Sequence, residues 1–183
     1  MASELDLLGL LPLSSGNLFF QKTTMSKNST SSKDPVCIET ATIDDLDELT
    51  TLVVELLDMQ GDFTPIHQNQ EHGLRLILES PNRGRIFALR NDTHIIGMVN
   101  LLFTISTAEG GMVIILEDFI IHPDHRGQGY GEALLEHVHS FAKDKNFKRI
   151  TLLTDKFSPE SQRFFAAHGY SSSEMVPMRK LVE

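Results

Sequence analysis

The chain has 183 residues, enough for one domain with a sizeable core, and its 40% hydrophobic and 22% charged residues are ordinary for a globular protein. Its formal net charge of −9 argues against nucleic acid as a partner, because that binding depends on Lys and Arg contacts to phosphate. No stretch approaches the roughly 20 apolar residues that span a bilayer, and a single cysteine forms no internal disulfide. These features predict a cytoplasmic protein with neither a nucleic-acid partner nor a membrane partner.

The first 34 residues differ in composition from the rest of the chain. Between Thr23 and Lys33 the sequence is rich in Ser, Thr, Asn and Lys and has no apolar period. This composition is typical of disorder, so we predict a disordered leader over 1–34 and one folded domain over 35–183. Met25 lies inside the leader, and the sequence leaves open whether residues 1–24 belong to the native protein.

The predicted domain opens with a strand over 36–40 and two helices. Thr42 can cap the first helix, and leucines and valines then recur at helical spacing to about residue 57. The segment 61–65 contains Gly and Pro and breaks this helix. A second helix is predicted from about 68 to 79.

The rest of the chain alternates strands with helices. Further strands are predicted over 85–89, 94–105, 112–121, 150–153 and 175–182. Two helices separate the last three strands: one follows a glycine-rich turn, and the other opens with Ser158 and Pro159 in the favoured N-cap and N1 order. The order β-α-α-β-β-β-α-β-α-β predicts a mixed α/β layer fold.

The most informative segment is a turn that contains Gly127, Gly129 and Gly131 between an apolar strand and a helix. The first amides of a helix lack internal partners, the helix dipole is positive there, and glycine lets a phosphate approach the backbone closely. The turn is therefore a candidate anion site that could hold a pyrophosphate. On the glycines alone, a tight turn without a ligand explains the pattern equally well.

Two better-known glycine motifs do not fit this turn. A phosphate loop places Lys and then Ser or Thr after its last glycine, where this chain has Glu132 and Ala133. The dinucleotide fingerprint needs a glycine three positions after its second one, where this chain has Glu132 or Leu134, depending on the starting glycine. This mismatch disfavours a nucleotide-dependent oxidoreductase.

The run Arg126-x-x-Gly129-x-Gly131, after a strand and before a helix, resembles the signature of the GNAT superfamily of N-acetyltransferases. The order of elements from Val36 onward is similar to that family, as is the later run Phe164-Phe165-Ala166-Ala167-His168-Gly169-Tyr170. The resemblance implies a GNAT-like acyl-CoA N-acyltransferase fold with a central mixed sheet of six to seven strands and about four helices. It implies direct acetyl transfer from acetyl-CoA, without a metal, to a primary amine of a small molecule or peptide. Dimers are common among such relatives, so the resemblance leaves open whether this chain forms a homodimer.

The resemblance also assigns residues to the donor. The amides around 128–132 would cradle the coenzyme A pyrophosphate, and the backbone of 119–121 would pair with the pantetheine arm as an added strand. An amide in that strand would polarise the thioester carbonyl. The implied donor-binding residues are Phe119, Ile120, Ile121, Arg126, Gly127, Gln128, Gly129, Tyr130, Gly131, Glu132, Ser158 and Phe165.

A catalytic base is required, because the attacking amine must be neutral and a free alkylamine has a pKa of about 10.4. Glu117 is the first candidate, since apolar neighbours would raise its pKa towards a useful range, and similar Leu-Glu-Asp-Phe runs occur in polyamine-type family members. Asp118 is the reserve candidate: it faces the opposite side of an ideal strand, although a bulge would change that. The alternative is that both are ion-pair partners at a strand end.

The general acid and the acceptor are less well defined. Many family members carry a Tyr where this chain has Phe165, and the usual Asn at the start of that helix is Ser158 here. Asp62 and Phe63 are the predicted acceptor contacts, because acidic and aromatic groups suit an ammonium ion. A coenzyme A-binding regulatory module with little catalysis is the alternative function, suggested by Phe165. The sequence does not identify the acceptor amine.

Overall fold

The computed structural model describes residues 35–60, 64–154 and 158–182. The predicted leader over 1–34 lies outside these ranges. The predicted acceptor contacts Asp62 and Phe63 also lie outside the described residues.

A five-stranded mixed sheet forms the centre of the domain, with its strands in chain order. The strands are β1 (Cys37–Thr40), β2 (Gly84–Arg90), β3 (Ile95–Ser106), β4 (Gly111–Ile121) and β5 (Ile150–Leu152). The first four pair antiparallel, and β5 pairs parallel with β4. A parallel pair needs a crossover connection, which a helix between the two strands supplies.

Four helices accompany the sheet: α1 (Leu46–Gln60), α2 (His67–Leu78), α3 (Tyr130–Asp144) and α4 (Pro159–Ala167). A short 3-10 turn (Ile43–Asp45) precedes α1, so the predicted first helix starts with a tighter turn than expected. There the Asp45 carboxylate accepts a hydrogen bond of 2.7 Å from the Thr42 backbone N–H. Ser158 caps α4 as predicted, accepting from the Ser161 backbone N–H at 3.3 Å.

The two faces of the sheet bury two separate apolar clusters. One cluster joins α1 and α2 to the sheet through Leu49, Leu52, Leu74, Ile86, Met98 and Ile120. The other joins α3 to the opposite face through Val99, Leu101, Ile114, Leu116, Leu134 and Val138. Successive residues of a strand point to opposite faces, and Met98 and Val99 accordingly belong to different clusters. The sheet therefore lies between two helical layers.

The predicted last strand over 175–182 is wrong. Residues 171–182 form no regular structure, and Met178 and Leu181 are about nine-tenths exposed, at 92% and 90%. Pro177 lies in the middle of this segment and has no N–H to donate to a ladder. The sheet therefore has five strands in the described residues rather than the expected six to seven.

The pairing between β4 and β5 is short, and this shapes the site. It ends at Leu116 and Leu152, whereas β4 continues to Ile121. Beyond Leu116 the backbone of β4 is paired through β3 but not through β5. One side of the second half of β4 is thereby left open as a sheet edge.

Gly97→Ala is expected to destabilise the fold. An added Cβ would lie 2.6 Å from Ile121 Cδ1 and 2.9 Å from the Ile120 carbonyl oxygen. Overpacking of this kind costs about 1–3 kcal/mol, or about 2–4 °C in Tm for each kcal/mol in a domain of this size. The matched control is Gly73→Ala in α2, where nothing lies within 4 Å and Ala should stabilise by up to about 1 kcal/mol. Thermal unfolding that ranks Gly97→Ala at or above wild type would contradict this packing.

Candidate active site

A β-bulge lies in the second half of β4. Met98 pairs with Ile120 and Asn100 pairs with Glu117, so two residues of β4 oppose Val99 alone. One of the two, Asp118, has a φ of 46°, in the left-handed region that Asp tolerates better than most non-glycine residues. The extra residue alters which way the neighbouring side chains face.

The bulge brings the two candidate carboxylates to one face of the sheet. Glu117 lies directly opposite Asn100, and directly paired residues share a face. The Asn100 Nδ2 group donates a hydrogen bond of 3.1 Å to Asp118 Oδ2, so Asp118 reaches the same face. An ideal strand would have turned Asp118 away, and the left-handed backbone accounts for the difference. This is the face that packs against α1 and α2, because Met98, two residues before Asn100, belongs to their cluster.

The surroundings shift the pKa of both carboxyl groups upward. Burial raises the pKa of Asp118, and the hydrogen bond from Asn100 acts in the opposite direction. Partial burial raises the pKa of Glu117, and the negative charge of Asp118 raises it further. The Glu117 side chain still reaches solvent, so a ligand can approach it. A raised pKa on an accessible carboxylate suits a general base that works near neutral pH.

The strand-end ion-pair alternative receives no support. Over the described ranges, the ion pairs involve other residues, and neither Glu117 nor Asp118 takes part in one. Burial and the Asp118 charge raise the pKa of Glu117, whereas burial raises the pKa of Asp118 and the neutral Asn100 amide lowers it. The two carboxyls therefore form a pair without a neutralising cation among those residues.

The glycine turn follows β4 and leads into α3. Gly127 and Gly129 have φ values of 68° and 81°, which explains why glycine occupies both positions. Gly129 is the N-cap of α3, and its carbonyl accepts the first helical bond, from the Ala133 N–H at 3.1 Å. The amides of Gly131 and Glu132 precede that bond, in the part of a helix that suits an anion. An added Cβ at Gly127 or Gly129 would meet no atom within 4 Å, so the space above the turn is open.

Arg126 braces this turn against the rest of the protein. Its Nε donates to the Ile121 carbonyl at 2.9 Å, and its Nη2 lies 3.3 Å from Met59 Sδ on α1. The guanidinium thus ties the turn to β4 and to the end of α1. Contact between Arg126 and a phosphate stays a prediction.

Aromatic rings form an apolar wall beside the turn. The Phe119 ring centroid lies 5.8 Å from that of Phe164 and 5.7 Å from that of Phe165. A Cβ at Gly131 would lie 3.5 Å from the Phe164 ring, which places this wall against the start of α3. The structure thereby brings Phe119 and Phe165, two predicted donor contacts, next to each other.

Tyr170 lies beside Phe165, but its hydroxyl contacts α3. Its hydroxyl lies 3.1 Å from His139 Nε2 on α3, its ring packs on Phe165 at 5.6 Å, and burial raises its pKa to about 12. His139 is eight residues beyond Gly131, which is about 12 Å along a helix axis. The hydroxyl is therefore held away from the glycine turn.

Asn100 is the site residue that sequence reasoning missed. It is the one strongly polar residue in the apolar run from Ile95 to Phe103, and this was the available signal. Its hydrogen-bond partner lies 18 residues further along the chain, so only the paired structure reveals the contact.

Comparisons with known proteins point to one family. A family model described as Acetyltransferase (GNAT) family matches residues 53–170. The aminoalkylphosphonate N-acetyltransferase of Salmonella typhimurium is 28% identical over 140 residues, which cover 76% of this chain and 88% of that protein.

Two solved structures share the fold. One is an integron cassette protein from the mobile metagenome of Cole Harbour Salt Marsh, with a TM-score of 0.70 and 24% identity, covering 80% of this chain and 90% of that one. The other is a predicted acetyltransferase from Clostridium acetobutylicum, solved with acetyl-CoA, with a TM-score of 0.67 and 17% identity, covering 79% of this chain and 96% of that one. At these identities the likeness shows the fold alone.

Two kinds of feature are absent from the described residues. None of the helices in the described part of the chain is long and apolar enough to cross a membrane. Over the same residues, no three His, Cys, Asp or Glu side chains cluster as metal ligands would.

Asp118→Asn is expected to raise stability near neutral pH. A carboxyl whose pKa is raised by folding contributes its stability below the unfolded pKa and loses it as the pH rises through the folded value. Removing the charge therefore helps at about pH 7 and helps less at about pH 4.5. We expect a gain in Tm on the order of 2 °C at the higher pH, measured by thermal unfolding.

The control for this prediction is Asp92→Asn, at an exposed turn position between β2 and β3. Its Tm should follow that of wild type at both pH values. A loss of stability in Asp118→Asn that grows with pH would mean that the Asp118 carboxylate stabilises the fold.

Proposed function

The chain belongs to the acetyltransferase (GNAT) family, and on that premise we propose that it transfers the acetyl group of acetyl-CoA directly to a primary amine, with Glu117 as the base. The family model covers more than half of the chain, and the solved structures share its mixed sheet and helical layers. The chain is accordingly an acyltransferase. Acceptor, donor contacts and residue roles are the proposed part.

The observation that carries the proposal is the arrangement along β4. An accessible carboxylate with a raised pKa, a bulge and an open sheet edge lie within six residues of one another, between Leu116 and Ile121. The glycine turn and the start of α3 follow immediately. One strand thus offers a base, an edge for an extended ligand and an anion site in sequence.

The residues present suit acetyl-CoA. The turn has open space above Gly127 and Gly129 and helix amides beside it, which favours a pyrophosphate. The open edge of β4 over 119–121 can pair with an extended amide-containing arm in the manner of an added strand. Phe119 and Phe165 would shield the reacting end from water. When bound, acetyl-CoA would supply a thioester carbonyl. Transfer would form a carbon–nitrogen bond as the carbon–sulfur bond breaks, and coenzyme A would leave as a thiolate that takes up a proton to give the free thiol.

Glu117 would receive the proton that the ammonium must lose before its nitrogen attacks. Its carboxylate faces the α1 and α2 side of the sheet, whereas α3 packs on the other side. We propose that the acceptor approaches from the α1 and α2 side. A backbone amide of the bulge would donate to the carbonyl oxygen as negative charge develops there.

A small amine is the acceptor class to test first. The relative from Salmonella typhimurium is named for an aminoalkylphosphonate, whose amine is small, and this supports a small molecule over a peptide. The roles of Asp62 and Phe63, a cytoplasmic setting and a homodimer stay predictions from the sequence. So does the division into a leader over 1–34 and a domain over 35–183.

The regulatory alternative rests on Phe165. This side chain offers no proton, and its neighbours are Phe119, Phe164 and Tyr170, whose hydroxyl is engaged with His139. A protein that binds coenzyme A tightly and shows no amine-stimulated release of thiol from acetyl-CoA would fit that alternative.

Glu117→Gln tests the base. We expect kcat/KM to fall by about 10²–10⁴-fold, because general-base catalysis is removed while the donor contacts remain. The measurement is thiol released from acetyl-CoA against a panel of small amines that includes aminoalkylphosphonates, with a no-amine control. In the wild type, kcat/KM should decline as the pH falls through the raised pKa of Glu117, and Glu117→Gln should lack this decline.

Glu109→Gln is the matched control, since Glu109 lies just before β4 at its other end and pairs with Arg149. It should leave kcat/KM within about twofold of wild type, and calorimetry should give all three proteins similar acetyl-CoA affinity. Wild-type turnover in Glu117→Gln would remove this residue from the proposed role.

Gly129→Ala tests the turn. At a φ of 81° an alanine costs about 1–2 kcal/mol, so the turn should distort and the KM for acetyl-CoA should rise roughly tenfold with a smaller change in kcat. The matched control is Gly110→Ala in the loop between β3 and β4, where φ is 63° and a Cβ would also meet no atom within 4 Å, so the same backbone strain falls away from the turn. Equal donor KM values for both variants would argue against binding at this turn.

A further inference from the structure

Asn100 is a polar residue at a buried position in β3, where an unpaired amide atom lowers the stability of the fold. It is 2% exposed, in the middle of β3, with apolar neighbours on both sides along the strand. Within the residues that the structure covers, its Oδ1 is the one buried side-chain oxygen or nitrogen that lacks a hydrogen-bond partner. A half-satisfied buried amide stabilises a fold less than an apolar side chain of similar size. Stability of the strand therefore gives no reason for an asparagine here.

We propose that Asn100 is a positioning residue of the candidate active site, which holds the Asp118 carboxylate in the β4 bulge beside Glu117. This proposal rests on the proposed function, because it assigns Asn100 a purpose in presenting the base. Asn100 lies opposite Glu117 in the strand register, and its Nδ2 reaches Asp118 Oδ2 at 3.1 Å. Asn100 is thus paired with Glu117 across the strands and hydrogen-bonded to Asp118, the next residue along β4.

Thr50 shows how a buried polar side chain in the same layer is normally satisfied. Its side chain is fully buried, and its hydroxyl donates to the Leu46 carbonyl at 2.7 Å within α1. That bond is local and needs nothing from the site. The bond of Asn100, in contrast, joins two strands at the bulge, which is where the candidate base lies.

The hydrogen bond sets how much negative charge lies beside Glu117. It opposes the rise that burial causes in the pKa of Asp118, so it keeps this carboxyl ionised to lower pH. The charge of Asp118 in turn is one of the two causes that raise the pKa of Glu117. On the neighbouring strand, β3 contributes the neutral Asn100 amide, and Asp118 is the charged group that raises the pKa of Glu117. Asn100 therefore acts on the base through Asp118.

An amide also suits both protonation states of Asp118. Its NH2 group donates to the ionised carboxylate, as in this structure. After protonation, a half-turn of the amide would present its oxygen to the carboxylic hydroxyl. Leucine offers neither contact, and a hydroxyl side chain is shorter.

Asn100→Leu is the test, with the two carboxyls followed by carbon-13 NMR titration and assigned with Glu117→Gln and Asp118→Asn. We expect Asp118 to titrate at higher pH than in wild type and Glu117 at lower pH, because loss of the bond weakens the charge that acts on Glu117. With an amine acceptor, the acid limb of kcat/KM should move to lower pH and its neutral-pH value should fall about tenfold. Thr50→Val is the matched control and should reproduce the wild-type titrations.

A double-mutant cycle separates positioning from a structural role. If Asn100 acts through Asp118, adding Asn100→Leu to Asp118→Asn should change kcat/KM by less than about twofold. Additive effects of the two changes would overturn the proposal, as would unchanged titrations in Asn100→Leu. A structural role would instead lower Tm in both backgrounds without moving the titration of Glu117.

Two further readouts keep the outcomes distinct. The NMR titration needs no acceptor, so a wild type that acetylates no amine would refute the proposed function and still leave the Asn100 test decisive. If Asn100→Leu does not fold, the wild type can be measured instead. Its Asn100 side-chain amide resonances should shift as Asp118 titrates, and the same resonances in Asp118→Asn should not shift over that pH range. Amide resonances that ignore Asp118 would overturn the proposal.

Discussion

One extra residue in β4 is the constraint on which the candidate site depends. Because Asp118 and Phe119 share the space opposite Val99, the strand changes the faces of its side chains partway along. The two carboxyls come to the α1 and α2 side, and Phe119 packs with the rings of α4 on the other side. After the bulge, Ile120 and Ile121 again alternate between the two clusters. A strand without the extra residue would leave Asp118 facing away from Glu117.

The arrangement of Glu117, Asp118 and Asn100 is unfavourable by itself, and the rest of the fold must stabilise it. Two carboxyls lie close together without a cation among the described residues, one of them has a left-handed backbone, and the amide that supports them is half-satisfied. Each feature would be unfavourable in an ordinary strand. The two apolar clusters on either side of the sheet supply the burial that keeps the strand in place. Concentrated local cost within a well-packed frame is typical of sites that bind or react.

The sequence was sufficient for features that depend on local patterns. Helical periodicity located the four helices, alternation and turn residues located five strands, and Gly127 and Gly129 proved to need positive φ. Features set by pairing between distant segments were not accessible. The predicted strand over 175–182 has suitable residues but no strand to pair with in the described structure. The bulge depends on the register between β3 and β4, so the sequence of β4 alone does not predict it. Asn100 was missed for the same reason, since its significance comes from a contact with the neighbouring strand.

The parallel pairing of β4 with β5 also has a kinetic consequence. Short loops join β2, β3 and β4, and β1 pairs with β2 across α1 and α2. In the parallel pair, Ile114 and Ile150 meet only after the chain has passed through all of α3. Closing the loop between β4 and β5 costs chain entropy, and only three residue pairs offset that cost, so this pairing should form late. During folding, the meander of β2, β3 and β4 should therefore form first, bulge included, and β1 and β5 should dock afterwards.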